Sequence, residues 1–180
     1  MHGLVSLLEE KYYKEVESIW QMLEGKCGLS GIKATPFPHF SWLIASDFDW
    51  EALETVLEEI AQKTRPFIVN TSGIGIFSGA SPVIFIPIIR TQELNILHQH
   101  IWEAIQPCGE GISPYYSPKN WVPHITLAQT DLTQENISCA MQKLAFQNFN
   151  WEIKVDNISF IQQDNEMTGQ QQHQYKFQGK

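Results

Sequence analysis

The chain is 180 residues long, carries a formal net charge of −8 and is 43% hydrophobic. That length fits one domain or two small lobes, and the apolar content is too high for a disordered chain. Long nucleic acids need many cationic contacts, so the negative charge predicts that none is bound. The longest apolar run, PVIFIPIIR, is shorter than the roughly 20 residues of a membrane helix. We therefore expect no membrane segment.

The three cysteines, Cys27, Cys108 and Cys139, lie far apart and include no CxxC pair. This odd number at wide spacing argues against a disulfide framework, and free cysteines are usually buried. The sequence therefore predicts three core thiols, a reducing compartment and a cytoplasmic location. The first residues lack a basic stretch followed by an apolar one, so no signal peptide is predicted.

The predicted elements alternate between helices and strands. Apolar residues three and four apart predict a helix over 5–24, which the glycines of GKCGLSG end. A strand over 37–46 follows, then a helix that Asp47 or Asp49 caps and Pro66 closes. The later elements are strands over 67–79 and 82–90, a helix after Thr91, a loop over 107–120, a strand over 122–130, a helix capped by Thr133, and strands over 151–164 and 171–178 joined by the turn NEMTG.

The order of the elements repeats approximately. Residues 37–90 and 121–178 each run through a histidine-bearing strand, a helix and further strands that end in a hairpin. This pattern predicts the α+β class, with two pseudo-symmetric halves, mostly antiparallel sheets flanked by helices, and a central cleft. Residues 34–180 are predicted to be a single bilobal domain, and residues 1–33 a helical extension.

Two strand segments, HFSW at 39–42 and HITL at 124–127, carry a histidine and a hydroxyl residue two positions apart. Residues i and i+2 of a strand share a face, so His39 lies beside Ser41 and His124 beside Thr126. If the two halves face each other, all four side chains line the cleft. Imidazoles titrate near pH 6.5, so one can remove a proton while the other donates one. The hydroxyls can hold phosphate oxygens, and this chemistry on a phosphodiester requires no metal.

The paired H-x-[S/T]-x motifs, HFSW and HITL, resemble those of the 2H phosphoesterase superfamily, which includes the 2′-5′ RNA ligase-like and cyclic phosphodiesterase proteins. PHITLA is the closer match, whereas HFSW has serine in place of the commoner threonine and a bulky Trp42. The resemblance covers roughly residues 35–178. It implies metal-independent, cofactor-free opening of a cyclic phosphate on a small nucleotide or RNA end, with His39 as general acid and His124 as general base. The residues alone do not fix that order.

Several side chains near the motifs are candidate substrate contacts. Tyr115 and Tyr116 precede the second motif in a loop, where they either stack on a base or pack the loop down. Lys119 and Arg90 are candidate phosphate-neutralising cations, although Lys119 is equally a solvated loop residue. Phe37 either borders the cleft or belongs to the core. The expected partner is a small nucleotide or a terminal cyclic phosphate, bound by a monomer.

Other functions stay open at this point. His98 and His100 invite a metal interpretation, but they lie in a predicted helix, where residues i and i+2 do not share a face. A cleft that binds a nucleotide or phosphate without turnover is one alternative, because the first motif is the looser match. RNA end-joining is another, although it requires a wider basic surface than this composition indicates.

Overall fold

The computed structural model describes residues 2–162 and 169–179. Its α-helices are α1 (Glu10–Cys27), α2 (Trp50–Lys63), α3 (Gln92–Ile105) and α4 (Ile137–Leu144). Its strands are β1 (His2–Leu7), β2 (His39–Ala45), β3 (Asp47–Phe48), β4 (Phe67–Asn70), β5 (Gly75–Phe77), β6 (Val83–Pro87), β7 (Gly109–Glu110), β8 (His124–Ala128), β9 (Glu152–Val155), β10 (Asn157–Gln162) and β11 (Gln170–Lys176). The turn predicted at NEMTG falls on residues that, apart from Gly169, lie outside the described ones.

Seven of the strands form one sheet in the order β11-β10-β1-β2-β8-β6-β5, and each neighbouring pair is antiparallel. Strand β3 pairs with β7 and β4 pairs with β9, again antiparallel. Asp49 and Thr91 cap α2 and α3 through their side chains. The predicted α+β class with mostly antiparallel sheets is confirmed. The pseudo-symmetry of two lobes stays a prediction.

The N-terminal segment differs from the predicted helical extension. His2–Leu7 is a strand that pairs with β2 on one edge and with β10 on the other, and the first helix begins at Glu10 instead of residue 5. Within residues 2–33 the chain is therefore not a helical appendage, because β1 is an interior strand of the main sheet. The short apolar run GLVSLL fits a strand and a helix equally well, so its periodicity did not separate the two.

The helices cover one face of the sheet, where α1 contacts β8 and α3 contacts β2. The β2 and β8 side chains on that face are fully buried in the hydrophobic core: Phe40, Trp42, Ile125 and Leu127. The alternating side chains on the opposite face are only partly buried: His39, Ser41, His124 and Thr126. The strand alternation expected from the sequence thus separates a core face from a polar face.

The cysteines correct a second prediction. Cys27, the last residue of α1, forms a disulfide with Cys139 of α4, with the two Cα atoms 5.7 Å apart, whereas Cys108 is free and buried. The sequence separation of 112 positions concealed the pairing, because only the packing of α1 against α4 brings the two cysteines together. The predicted cytoplasmic location therefore loses the support of the cysteines. No described helix is both long and apolar enough to cross a membrane.

Candidate active site

His39 and His124 are the first residues of the neighbouring strands β2 and β8. The two strands are joined by the antiparallel pair Phe40 and Ile125, the residues that follow the two histidines. Both imidazoles consequently lie on the uncovered face of the sheet and line one cavity of about 220 Å³, together with Ser41 and Thr126. We call this space the histidine cavity. The structure places all four residues of the two motifs in a single site.

Each imidazole is oriented by the backbone of its own strand. Nδ1 of His124 lies 2.7 Å from the carbonyl oxygen of Val122, and Nδ1 of His39 makes the same contact with the carbonyl of Phe37. A carbonyl only accepts, so Nδ1 carries the hydrogen in both rings. In the neutral ring Nε2 is then the free nitrogen, on the side away from the backbone. Both histidines therefore present the same atom for taking up or giving a proton.

The surroundings lower the pKa of both histidines. Burial lowers the pKa of His39 to about 4, against the opposing effect of the Phe37 carbonyl, and the nearby His124 lowers it further. Burial also lowers the pKa of His124, with the Val122 carbonyl opposing. Both rings are thus neutral at neutral pH in the free protein. An anion bound between them would raise both pKa values, because it stabilises the imidazolium form.

The hydroxyls of Ser41 and Thr126 lie in the same cavity. Each is the next residue after the histidine on the same face of its strand. The Ser41 hydroxyl lies beside the phenol of Tyr116, which lines the same cavity, and burial raises the pKa of that phenol, so it stays protonated. The backbone carbonyl of Ser41 accepts from the indole of Trp121 at 2.9 Å, and the carbonyl of Thr126 accepts from the indole of Trp20 at 3.1 Å. Each motif is therefore fixed at its second polar residue as well.

A β-bulge follows the hydroxyl residue in both motif strands. Trp42 is the extra residue of β2 relative to β1, and Leu127 is the extra residue of β8 relative to β6. A bulge shifts the alternation by one position. The next residues facing the cavity are therefore Ile44 and Gln129, three positions after Ser41 and Thr126. Strict alternation would have placed residues 43 and 128 there, and both are buried in the core.

A second, wider cavity of about 680 Å³ opens beside His124, and we call it the apolar groove. Its exposed large apolar or aromatic walls are Ile76, Phe77, Tyr115 and Val122. Ser78, Ser81 and Asn120 are exposed polar residues on the same walls. Four residues line both spaces: Tyr116, His124, Thr126 and Gln129. The groove thus continues from the half of the histidine cavity that β8 supplies.

The two predicted tyrosine contacts take different positions. Tyr116 lines both spaces and lies beside Ser41, while Tyr115 is 79% exposed on the wall of the apolar groove. Both side chains are thus placed where a ligand at the histidines would reach them.

The structure does not place the other three predicted contacts on the walls of either space. Lys119 is exposed in the loop after the tyrosines. Arg90 donates to the carbonyls of Pro118 and Trp121 and to the side chain of Asn95, so it fastens the loop. Phe37 serves through its carbonyl, which holds His39. Closeness in sequence to a motif was the only signal for these residues. Such closeness does not indicate whether a side chain points toward the cavity.

His98 and His100 do not form a shared site. His98 is buried, with its ring stacked on Trp121 at 3.8 Å and its Nε2 3.1 Å from the carbonyl of Trp42, whereas His100 is exposed. Among residues 2–162 and 169–179, no group of three or more His, Cys, Asp or Glu side chains is placed to hold a metal ion.

Sequence reasoning missed two residues that the structure brings to the site. Gln129 lines both spaces with a carboxamide, and Phe77 lies edge-on to the His124 ring with centroids 5.0 Å apart. Gln129 was hidden by the bulge at Leu127. Phe77 was hidden because β5 and β6 form a hairpin whose pairing with β8 is not local in sequence. Periodicity alone carries no signal for either position.

The overall fold is similar to solved structures of two bacterial proteins. TT0787 of Thermus thermophilus matches with a TM-score of 0.71 and 16% identity, covering 99% of this chain and 98% of that one. The complex of Escherichia coli LigT with 3′-AMP matches with a TM-score of 0.58 and 14% identity, covering 98% and 97%. At such identities the likeness establishes the fold alone. The chain therefore has the same α+β fold as these two proteins.

Similarity of sequence identifies the family. A Bacillus cytotoxicus protein named as a candidate phosphoesterase is 27% identical over 129 residues, which are 70% of this chain and 70% of its own. A Bacillus mycoides protein with the same kind of name is 25% identical over the same length. The sequence model of the 2′-5′ RNA ligase superfamily matches residues 33–166. The chain belongs to this superfamily, so the resemblance based on the two motifs is confirmed.

Proposed function

We propose that this protein is a metal-independent phosphoesterase that opens a cyclic phosphate, as in a 2′,3′-cyclic nucleotide or an RNA end, or cleaves a 2′-5′-type linkage. One observation supports the proposal above all. Two imidazoles share one cavity, and a backbone carbonyl orients each in the same way, so that both offer Nε2. This is the arrangement that general acid–base catalysis needs.

The proposed reaction is a displacement by water at phosphorus. One neutral imidazole removes a proton from the water as its oxygen bonds to phosphorus. The other, protonated imidazole gives its proton to the ribose oxygen as the P–O bond of the ring breaks. The product is a phosphomonoester with a free neighbouring hydroxyl. The resemblance assigns the acid role to His39 and the base role to His124, and the matching ring orientations are compatible with either order.

The hydroxyls of Ser41 and Thr126 are proposed to donate to the non-bridging phosphate oxygens. Negative charge builds up on these oxygens in the transition state, so a preplaced donor stabilises it more than the ground state. The phenol of Tyr116, beside Ser41 in the same cavity, would limit the positions open to the Ser41 hydroxyl. Gln129 is a further donor at the edge of the same cavity.

The proposed partner is a small nucleotide, bound by a monomer. Two findings support a small ligand: the histidine cavity holds only about 220 Å³, and the related fold of LigT is seen in complex with 3′-AMP. The net charge of −8 supports it as well, because a long RNA would meet a predominantly negative surface.

The test is hydrolysis of adenosine 2′,3′-cyclic phosphate in the presence of a chelator, by the wild type and by His39→Ala and His124→Ala. We expect chelator-resistant turnover that falls about 10²–10⁴-fold in each variant. The position of the phosphate in the product identifies the bond cleaved. Turnover that the chelator abolishes would contradict metal independence. Binding without turnover in the folded wild type would instead support a cleft that only binds.

A further inference from the structure

The apolar groove presents several large exposed side chains directly beside the histidine cavity. Its walls Ile76, Phe77, Tyr115 and Val122 are between 36% and 79% exposed, although all four are large and apolar or aromatic. Contiguous exposed apolar side chains mark binding surfaces. The groove shares His124 with the histidine cavity, so a ligand whose phosphate lies between the histidines extends naturally into it.

The ring of Phe77 is held in a fixed orientation. It stacks on Phe85 with centroids 4.1 Å apart and meets the His124 ring edge-on. A side chain at Gly75 would clash with Phe85, because a Cβ there would lie 2.5 Å from that ring. Gly75 therefore allows the aromatic pair to form. The part of Phe77 that stays exposed is a preformed flat surface of the kind on which a base stacks.

Neither space is lined by a lysine, arginine, aspartate or glutamate within the described ranges 2–162 and 169–179. Arg90 donates to loop carbonyls, and Lys33 is paired with Glu24. Positive charge in the site therefore comes from the histidines when one of them is protonated. A third imidazole, that of His2, also lines the histidine cavity, and its Nε2 lies 3.9 Å from a carboxylate oxygen of Asp47. One imidazolium matches the single negative charge of a phosphodiester, and no side chain with a permanent positive charge lines these spaces to match a second phosphate.

We propose that the apolar groove binds the base of the substrate, stacked on Phe77, and that the site selects nucleoside cyclic phosphates that carry no second phosphate. This inference rests on the proposed function and specifies its substrate class. The base supplies binding through stacking, and the phosphodiester supplies the one charge that the histidine pair can neutralise. A phosphate added to the nucleoside would lose hydration without gaining a cation.

The experiment compares kcat/KM for three substrates of the wild type. Adenosine 2′,3′-cyclic phosphate has a base, glycerol 1,2-cyclic phosphate has none, and adenosine 2′,3′-cyclic phosphate with a 5′-phosphate carries the second charge. We expect the loss of the base to lower kcat/KM about 5- to 150-fold, the range of base–aromatic stacking. We expect the added phosphate to lower it about fivefold or more.

Two pairs of variants locate the effects. Phe77→Leu should reduce the ratio of kcat/KM between the adenosine and glycerol substrates, whereas Phe146→Leu should not, because Phe146 is 93% exposed and lines neither space. A purely structural effect of Phe77→Leu would lower both substrates together and leave the ratio unchanged. Ser78→Lys, which puts a cation on the groove, should favour the 5′-phosphorylated substrate relative to the neutral control Ser78→Gln.

The outcomes separate the two proposals. Equal kcat/KM for the adenosine and glycerol substrates, or an unchanged ratio in Phe77→Leu, would overturn the groove inference and leave the phosphoesterase standing. The wild type could instead prefer the 5′-phosphorylated substrate, with a preference that added salt weakens. That result would show that a cation contacts the 5′-phosphate and would overturn the inference. If the folded wild type opens none of the three, the proposed function fails and the inference fails with it.

Discussion

The two motif strands hold their polar groups in the same way but in different surroundings. In β2 and in β8 a carbonyl two residues back orients the histidine, an indole caps the carbonyl of the hydroxyl residue, and a bulge follows. Beyond the bulge the strands differ, because Ile44 stands on the β2 side where Gln129 stands on the β8 side. The two strands thus share the oriented histidine and the anchored hydroxyl residue, which acid–base chemistry requires. They differ at the residues that would surround a bound ligand.

The surroundings of the β2 motif are enclosed, whereas the surroundings of the β8 motif open into the apolar groove. Ser41 is covered by Tyr116, and burial holds the pKa of His39 at about 4. His124 instead borders the apolar groove as well as the histidine cavity. We infer from this contrast that the nucleoside lies on the β8 side and the attacking water on the β2 side. In an in-line displacement the leaving oxygen lies opposite the water. His124 would then be the acid and His39 the base, the reverse of the order that the resemblance implies.

The largest expected effect tests that order. His39→Asn and His124→Asn should each lower kcat/KM for adenosine 2′,3′-cyclic phosphate about 10²–10⁴-fold. With thymidine 5′-p-nitrophenyl phosphate the leaving phenolate needs little protonation, so the loss should shrink in the variant that lacks the acid. We expect this partial recovery in His124→Asn alone. Recovery in His39→Asn instead would establish the order implied by the family, and far-UV circular dichroism checks that both variants are folded.

The disulfide should have the next largest effect, on stability. It joins α1, which contacts β8 and supplies Trp20 to Thr126, to α4 across 112 residues. Closing so long a loop in the unfolded chain typically stabilises a protein by about 2–4 kcal/mol. Cys27→Ser/Cys139→Ser should therefore have a free energy of unfolding that is lower by that amount, measured by denaturant titration.

A reducing agent provides the control for the disulfide. It should lower the wild-type Tm and leave that of the double serine variant unchanged. A wild-type Tm that does not respond to reduction would show that the two sulfurs are not bonded in solution.

The pH dependence follows from the lowered pKa values. The reaction needs one neutral and one protonated histidine, and kcat/KM reports the free enzyme. Because both pKa values lie below the usual 6.5, the singly protonated pair is most abundant below about pH 6.5. We expect kcat/KM to peak there and to fall about tenfold per pH unit on the alkaline side. An optimum above pH 7 in the absence of bound anion would contradict the burial of the pair.

Stability should limit the acid side of that profile. The pKa of His98, like that of His39, is lowered to about 4, chiefly by burial. In the unfolded chain the two histidines take up protons near pH 6.5, whereas in the folded chain they do so only near pH 4. The stability present above pH 6.5 is therefore lost progressively as the pH falls toward 4. His98→Gln should flatten this loss in a plot of Tm against pH.

The sequence predicts best what depends on strand alternation. The i, i+2 spacing places His39 with Ser41 and His124 with Thr126, and the structure has both pairs on one face. The fold class followed from the order of helices and strands. These inferences use local geometry, which a short stretch of sequence carries in full.

What the sequence did not predict depends on non-local pairing. The interior place of β1, the disulfide and the contact of Phe77 with His124 each join segments far apart in the chain. The position of Arg90 depends on non-local contacts as well, since it donates to carbonyls of a loop that only the fold brings near. The bulges are local, but no residue type demands one after HFS or HIT, so Gln129 was missed.

The smallest expected effect concerns those bulges and the indoles that stabilise them. A bulge disrupts the ladder, and Trp121 and Trp20 supply the donors that the carbonyls of Ser41 and Thr126 accept. Trp121→Phe and Trp20→Phe keep most of the ring but remove the donor, so each should destabilise the fold by about 1 kcal/mol. Each should also lower kcat/KM, because the hydroxyl residue loses its anchor.

Trp151→Phe is the matched control, since its indole donates to Asn148 away from both cavities. It should cost similar stability and leave kcat/KM unchanged, whereas three equally active variants would show that the indoles stabilise the fold without positioning the motifs.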